Sequence, residues 1–254
     1  MSLVTERTQV ASWGEPDGIA PRGTLILIPG RGERPELYER FGRRIAADGY
    51  RVHVVADPVT DAALTTAQVL DLAAGVRPLV LAGSDTGALF AAGLATSSAV
   101  ADADALVLAG LPVTGDSTGE SASGPAASSP PASWDAELDS RTACPTHRGR
   151  LAGPGLRRGA LYEPVPDGWA ALADLERVAV PVLGLHGADD PVSPLDDARA
   201  RYAAPRAELV SIVGGRHDAL NDVTHRTVAA TIVLFLERLR LGADLPPVAV
   251  SEKL

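Results

Sequence analysis

The chain has 254 residues, enough for one large domain or two small ones and for a core that needs neither a disulfide nor a metal to hold it. Hydrophobic residues make up 46% and charged residues 22%, which excludes wholesale disorder. The net charge of −9 leaves no basic surplus to displace counterions from nucleic acid.

The single cysteine, Cys144, excludes an intramolecular disulfide framework and a two-cysteine metal site, and points to a reducing cytoplasm. The start, Met1 to Arg7, is charged and shows no secretory h-region. The longest apolar stretch, Val228 to Leu236, falls far short of the roughly 20 residues of a membrane span.

Taken in order, Gly23 to Ile28 is a short continuous apolar run, the pattern of a buried parallel strand. A break at Pro29 to Glu33 follows. Leu37, Phe41 and Ile45 then recur at helical spacing between Pro35 and Gly49. Arg51 to Val55 reads as a strand and Ala63 to Ala74 as a helix. Pro78 to Ala82 is the next strand, followed by a glycine-bounded turn and the small-residue helix Gly87 to Thr96. Ala105 to Ala109 is a fourth strand. This repetition predicts an α/β fold, a mostly parallel sheet flanked by helices on both faces.

The pattern stops there. From Gly115 to Ser133, 17 of 19 residues are Gly, Ser, Ala, Pro or Thr, too few bulky side chains to pack, so a mobile loop is expected. Trp134 to Trp169 is mixed, with short helical possibilities and no strand signal. Alternation resumes with a strand over Val178 to Leu185, a helix over Pro194 to Ala203 and a strand over Glu208 to Val213. Val228, Ile232, Leu236 and Leu239 line one face of a closing helix. The expected organisation is a core of 1–111 and 169–254 with a small lid insertion over 112–168.

Three segments carry chemistry. Gly83-Ser84-Asp85-Thr86-Gly87 follows a strand and opens a helix, the setting of a nucleophile elbow. Its glycines permit a tight turn that pushes the central side chain clear, and the helix N-terminus behind it favours negative charge. The central residue is Asp85, with Ser84 one place early. A plain strand-to-helix connection is the alternative reading of this turn alone. Asp190 lies on the loop after the fifth strand, Val178 to Leu185, and His217 on the loop after the next. Loops at the carboxyl ends of parallel strands converge on one crevice. Elbow residue, acid, histidine, in that chain order, makes a catalytic reading of the three together.

The chain resembles the α/β-hydrolase superfamily over nearly its whole length, and within it the lysophospholipase and monoglyceride-lipase group. That group's H-G-x-G-E-H loop corresponds to Pro29-Gly30-Arg31-Gly32-Glu33-Arg34, with both histidines replaced. Its G-G-x-H-E/D-x-L-N stretch corresponds to Gly214-Gly215-Arg216-His217-Asp218-Ala219-Leu220-Asn221. The resemblance implies an oxyanion hole from the backbone N–H groups of Arg31 and Thr86, Gly30 beside the substrate, and Asp190 orienting His217. Asp85 stands where that group has serine. An aspartate at the elbow resembles instead the haloalkane dehalogenases and epoxide hydrolases, which carry Trp at the next position, where this chain has Thr86.

An aspartate changes the plausible reaction. A carboxylate with a reference pKa of about 3.9 is ionised at pH 7 and needs no base before it attacks. On a saturated carbon of an epoxide or halide it gives an alkyl ester, which His217 can hydrolyse through water. On an ester or lactone carbonyl it gives a high-energy anhydride, so with such substrates Asp85 would serve as base or orienting group. The expectation is a hydrolase of a small organic molecule, with no cofactor and no metal, since no His/Asp/Glu cluster has ligand spacing. The alternative is a non-hydrolytic protein on the same fold, a small-molecule receptor or a biosynthetic lyase or cyclase.

Other residues have weaker claims. Ser84 as nucleophile breaks the glycine spacing. Cys144 with His147 has the composition of a reactive thiol pair, against plain packing of a small residue. Tyr162 is placed to donate to a substrate oxygen, as cap tyrosines do in epoxide hydrolases, or simply to pack. His53 reads as structural, His186 as a support to the acid loop, and His225 as solvent-facing.

Overall fold

The computed structural model describes residues 10–97, 102–112, 133–250 and 252. The Gly/Ser/Pro-rich stretch expected to be a mobile loop lies outside the described residues, apart from Ser133.

Seven strands form one sheet among the described residues, in the order β1-β3-β2-β4-β5-β6-β7. They are β1 (Ala11–Trp13), β2 (Gly23–Ile28), β3 (Tyr50–Val54), β4 (Leu79–Ser84), β5 (Ala105–Ala109), β6 (Val182–Gly187) and β7 (Ala207–Ile212). β1 runs antiparallel on the edge of β3, and every other neighbouring pair is parallel. The helices are α1 (Glu39–Ala46), α2 (Ala62–Leu72), α3 (Thr86–Thr96), α4 (Trp134–Arg141), α5 (Pro145–Leu151), α6 (Trp169–Leu172), α7 (Leu195–Arg201) and α8 (His225–Leu239).

The continuous apolar runs are buried on both faces because alternate side chains enter two different cores. Leu25, Leu27, Val52, Val54, Val80, Ala82, Leu183 and Leu185 meet Phe41 and Ile45 of α1 and Val228, Ile232, Phe235 and Leu236 of α8. Ile26, Ile28, Leu79, Leu81, Leu106 and Leu108 meet Val69 of α2, Leu89 of α3 and Tyr202 beyond α7. Leu138, Leu151 and Leu156, from the segment between β5 and β6, join the first of these cores.

Two departures from the sequence reading have simple causes. The strand expected from Val178 begins at Val182, because Pro181 has no N–H for the ladder. Its carbonyl still accepts from the N–H of Leu106, at 2.9 Å. The edge strand β1 is three residues long, too short to show an alternation.

The order of the strands also builds a crevice. From β2 the chain steps outward to β3, then returns across β2 to β4 and moves the other way. The loops leaving β2 and β4 therefore diverge, and that reversal is where parallel sheets offer a binding cleft.

Candidate active site

Asp85 sits between β4 and α3 with φ 50° and ψ −128°, a left-handed conformation that a non-glycine residue adopts only when its surroundings impose it. Those surroundings are visible. A Cβ on Gly83 would lie 2.3 Å from the Gly87 carbonyl oxygen, and one on Gly87 would lie 2.2 Å from that of Ile28. Both glycines let α3 press against the ends of β2 and β4. The N–H of Asp85 donates to the carbonyl of Ala109 at 3.0 Å, so the elbow is also tied to β5.

The three catalytic candidates meet. His217 Nε2 lies 3.3 Å from Asp85 Oδ1, and its Nδ1 lies 2.8 Å from Asp190 Oδ2. The other oxygen of Asp190 accepts from the N–H groups of Val192 and Ser193 at 2.8 and 3.1 Å, which fixes the carboxylate toward the imidazole. Gly110, at φ 55°, makes space for the histidine loop, since a Cβ there would lie 2.6 Å from the His217 carbonyl oxygen.

The loop after β2 supplies the remaining contacts. The backbone N–H of Arg31 donates to Asp85 Oδ2 at 3.1 Å, so the expected hole donor is engaged by the elbow's own carboxylate. Thr86 is the first residue of α3, where an N–H has no intrahelical acceptor, and its hydroxyl lies 3.5 Å from Asp85 Oδ2. The Arg31 side chain had no part in the sequence reading. Its Nε donates to Asp85 Oδ2 and its Nη2 to Asp85 Oδ1, both at 2.8 Å, while Nη1 donates to the carbonyl of Glu163. The pair is almost entirely out of solvent.

Burial alone would push the Asp85 carboxyl up, but the Arg31 charge and the contact with His217 hold it well below the usual carboxylate range. Burial likewise disfavours a charged His217, yet Asp190 and Asp85 on its two nitrogens raise it to about 10. At neutral pH the site is an ionised Asp85 between a guanidinium and an imidazolium.

Gly30 turns its N–H to Glu33 Oε2 and the Tyr38 hydroxyl, both at 3.3 Å. What it gives Asp85 is space, for a Cβ there would sit 3.1 Å from that of Asp85. Tyr162 donates to Ser140 Oγ at 2.7 Å, within the segment between β5 and β6, and its contact there is not with Asp85. His186 is fully buried and holds the acid loop through the Ser193 carbonyl at 2.7 Å. Cys144 and His147 are not partners through their side chains. Cys144 accepts from Arg40 at 3.3 Å, and His147 Nε2 lies 3.1 Å from Asp218. His53 lies 2.8 Å from the Ser12 hydroxyl, and His225 is half-buried at the start of α8.

A second buried cluster joins the site to α4. Arg141 donates to Glu33 Oε1 at 2.8 Å and to Glu137 at 3.3 Å, and lies 3.5 Å from Asp218. Burial and the neighbouring Asp218 charge push Glu33 up to about 7. The carbonyls of Ser140 and Arg141 accept from the N–H groups of His217 and Asp218 at 3.3 and 2.8 Å. Asp222 takes the Thr142 hydroxyl and the N–H groups of Ala143 and Arg216. The acids that follow His217 in the sequence therefore bind α4 and the turn after it to the histidine loop. Among the described residues, no group of three His, Cys, Asp or Glu is placed to hold a metal ion, and no helix is long and apolar enough to cross a membrane.

No protein-family model matches the chain, and no curated protein matches it. Solved structures do. A monoacylglycerol lipase from Paleococcus ferrophilus aligns at 17% identity and TM-score 0.67, covering 92% of this chain and 98% of that one. A soluble variant of the monoglyceride lipase from Saccharomyces cerevisiae aligns at 16% and 0.68, covering 91% of each. The esterase RhEst1 from a Rhodococcus species aligns at 21% and 0.65, covering 91% and 99%. At these identities the likeness concerns architecture, and the chain has the α/β-hydrolase fold.

Proposed function

We propose that the protein is a hydrolase of small organic molecules that uses Asp85 as a covalent nucleophile, His217 as the base for water and Asp190 as its orienting partner. The observation that carries the reading is the unbroken line from Asp85 Oδ1 through His217 to Asp190, built on a strained elbow. The named activities of the lipase and esterase neighbours support hydrolysis in general. The aspartate narrows the chemistry to an epoxide or alkyl halide.

Asp85 Oδ1 attacks the saturated carbon, and the leaving group departs with the bonding electrons. The product of this step is an alkyl ester of Asp85. Its remaining oxygen, Oδ2, keeps the Arg31 N–H, so the hole serves the second step. Esterification removes one of the two negative charges that hold the proton on His217. The imidazolium then releases that proton to solvent, which also protonates an epoxide's alkoxide while a halide leaves as the free ion, and becomes the base it must be. It takes a proton from water as the hydroxide adds to the Asp85 carboxyl carbon. Collapse releases the alcohol and restores both carboxylate and imidazolium. Every step uses residues of this chain and water. An ester substrate fits less well, because its carbonyl oxygen would compete with Asp85 Oδ2 for the Arg31 N–H.

One observation favours the rival reading of a non-hydrolytic binder: the Arg31 guanidinium grips both oxygens of Asp85. A panel of epoxides, alkyl halides, esters and lactones on the wild type and Asp85→Ala separates the two. Turnover of an epoxide or halide that vanishes in Asp85→Ala supports the hydrolase. Tight binding of a panel member with no turnover supports the binder. The reduced Cys144 fits a cytoplasmic setting for either.

A further inference from the structure

Arg31 has almost no exposure, and its countercharge is Asp85. This creates a difficulty specific to the covalent reading, on which the present inference rests. Once Asp85 is esterified it is neutral, and a buried guanidinium is left without a counterion. Stranding one member of a buried ion pair is strongly unfavourable. An uncharged substrate would therefore raise the energy of the intermediate it must form. A substrate that brings its own negative charge would replace the one lost.

The guanidinium is arranged to receive one. Its Nε–Nη2 edge is committed to Asp85, and its Nη1 is held by the Glu163 carbonyl. The Nη1–Nη2 edge thus runs from the nucleophile to the segment between β5 and β6. Each of those nitrogens carries two N–H groups, so this edge is a fork whose parallel donors match the two oxygens of a carboxylate. Nη2 lies 2.8 Å from Oδ1, the attacking oxygen, so an anion on that fork is held beside the carbon under attack.

We propose that the substrate carries a carboxylate next to its electrophilic carbon, as in a 2-halo or 2,3-epoxy acid, and that the Arg31 side chain is the residue that recognises it. The leaving group is unaffected, since backside displacement expels it on the side away from Oδ1. The incoming carboxylate offsets the charge that Asp85 loses on forming the ester.

The test compares matched pairs on the wild-type protein: 2-bromopropionate with 2-bromopropanamide, and glycidate with glycidamide. Acid-quenched single turnovers, read by mass on the elbow peptide, give the rate of Asp85 alkylation, corrected for each compound's reactivity toward free acetate. The carboxylates should alkylate Asp85 at least about tenfold faster at equal concentration. In Arg31→Gln that preference should fall to parity or invert, and Arg31→Lys should restore part of it. Equal or faster labelling by the amides in the wild type overturns the role of Arg31 while leaving Asp85 as nucleophile. Absence of label on Asp85 from all four compounds overturns this inference. If epoxides or halides from the wider panel do label Asp85, the covalent reading survives that result, and if none does, both fail. Should Arg31→Gln not fold, the wild-type comparison decides alone.

Discussion

Asparagine at position 85 keeps the shape of the elbow side chain and removes its charge. Three consequences follow from the distances. Two guanidinium donors at 2.8 Å lose an anionic acceptor, and one of them must face an amide NH₂ group. The His217 imidazolium keeps Asp190 alone, so its proton is held less tightly. A buried cation is left without its partner, which costs about 3–5 kcal/mol. In a chain of this size each kcal/mol moves Tm by about 2–4 °C, so Asp85→Asn should melt roughly 6–20 °C below the wild type. Arg31→Met should cost less, because the carboxylate keeps the His217 imidazolium at 3.3 Å. The double variant, which removes both charges, should recover about 2–3 kcal/mol of the summed loss. Urea denaturation of the four proteins at pH 7 measures the cycle. Costs that add to within about 0.5 kcal/mol would show that Asp85 and Arg31 do not stabilise one another, and the charge argument for the site would be wrong.

Glu33, raised from 4.5 to about 7, binds its proton more tightly when folded, so its contribution is complete below pH 4.5 and is lost as pH rises through 7. The size is about 3 kcal/mol, and Glu33→Gln should remove that component from the stability-versus-pH curve, whereas an unchanged curve would mean Glu33 is ionised throughout. Gly87→Ala drives a Cβ to 2.2 Å from the Ile28 carbonyl oxygen and should cost at least about 1–3 kcal/mol by denaturation. Gly149→Ala, in α5 with nothing within 4 Å, should stabilise by about 0.5–1 kcal/mol. Asp190→Asn should lower turnover by roughly 10³-fold or more by releasing the His217 ring from its tautomer, and a loss under tenfold would remove Asp190 from the mechanism.

Much of the fold was legible because the buried strands are uninterrupted apolar runs. Gly23 to Ile28 and Ala105 to Ala109 have in the structure the limits read from the sequence. The helix faces of Phe41 with Ile45 and of Val228 with Ile232 were equally plain. The positions of Asp85, Asp190 and His217 followed from strand ends, since side chains on those loops have one place to converge. What escaped were charges that meet across long stretches of chain. Arg31 and Asp85 are 54 residues apart, and Arg141 and Glu33 are 108. A sequence marks no arginine as buried, and only a fold that brings α4 under the loop after β2 makes Arg141 fully enclosed. A charged residue inside the Gly-rich Pro29 to Glu33 turn was the one available hint toward Arg31.

The nucleophilic role of Asp85 is decided by where an oxygen atom goes. A single turnover of an epoxide or halide in ¹⁸O water, followed by mass analysis of the peptide spanning Gly83 to Gly87, reads it directly. Water that attacks the carboxyl carbon of an Asp85 ester leaves its label in the enzyme, and the product carries an oxygen from the old carboxylate. The expected result is therefore +2 mass units on that peptide and an unlabelled first product, with the ester itself accumulating in His217→Ala. Label found wholly in the product, with an unshifted peptide and no ester in the His217 variant, would contradict covalent catalysis by Asp85.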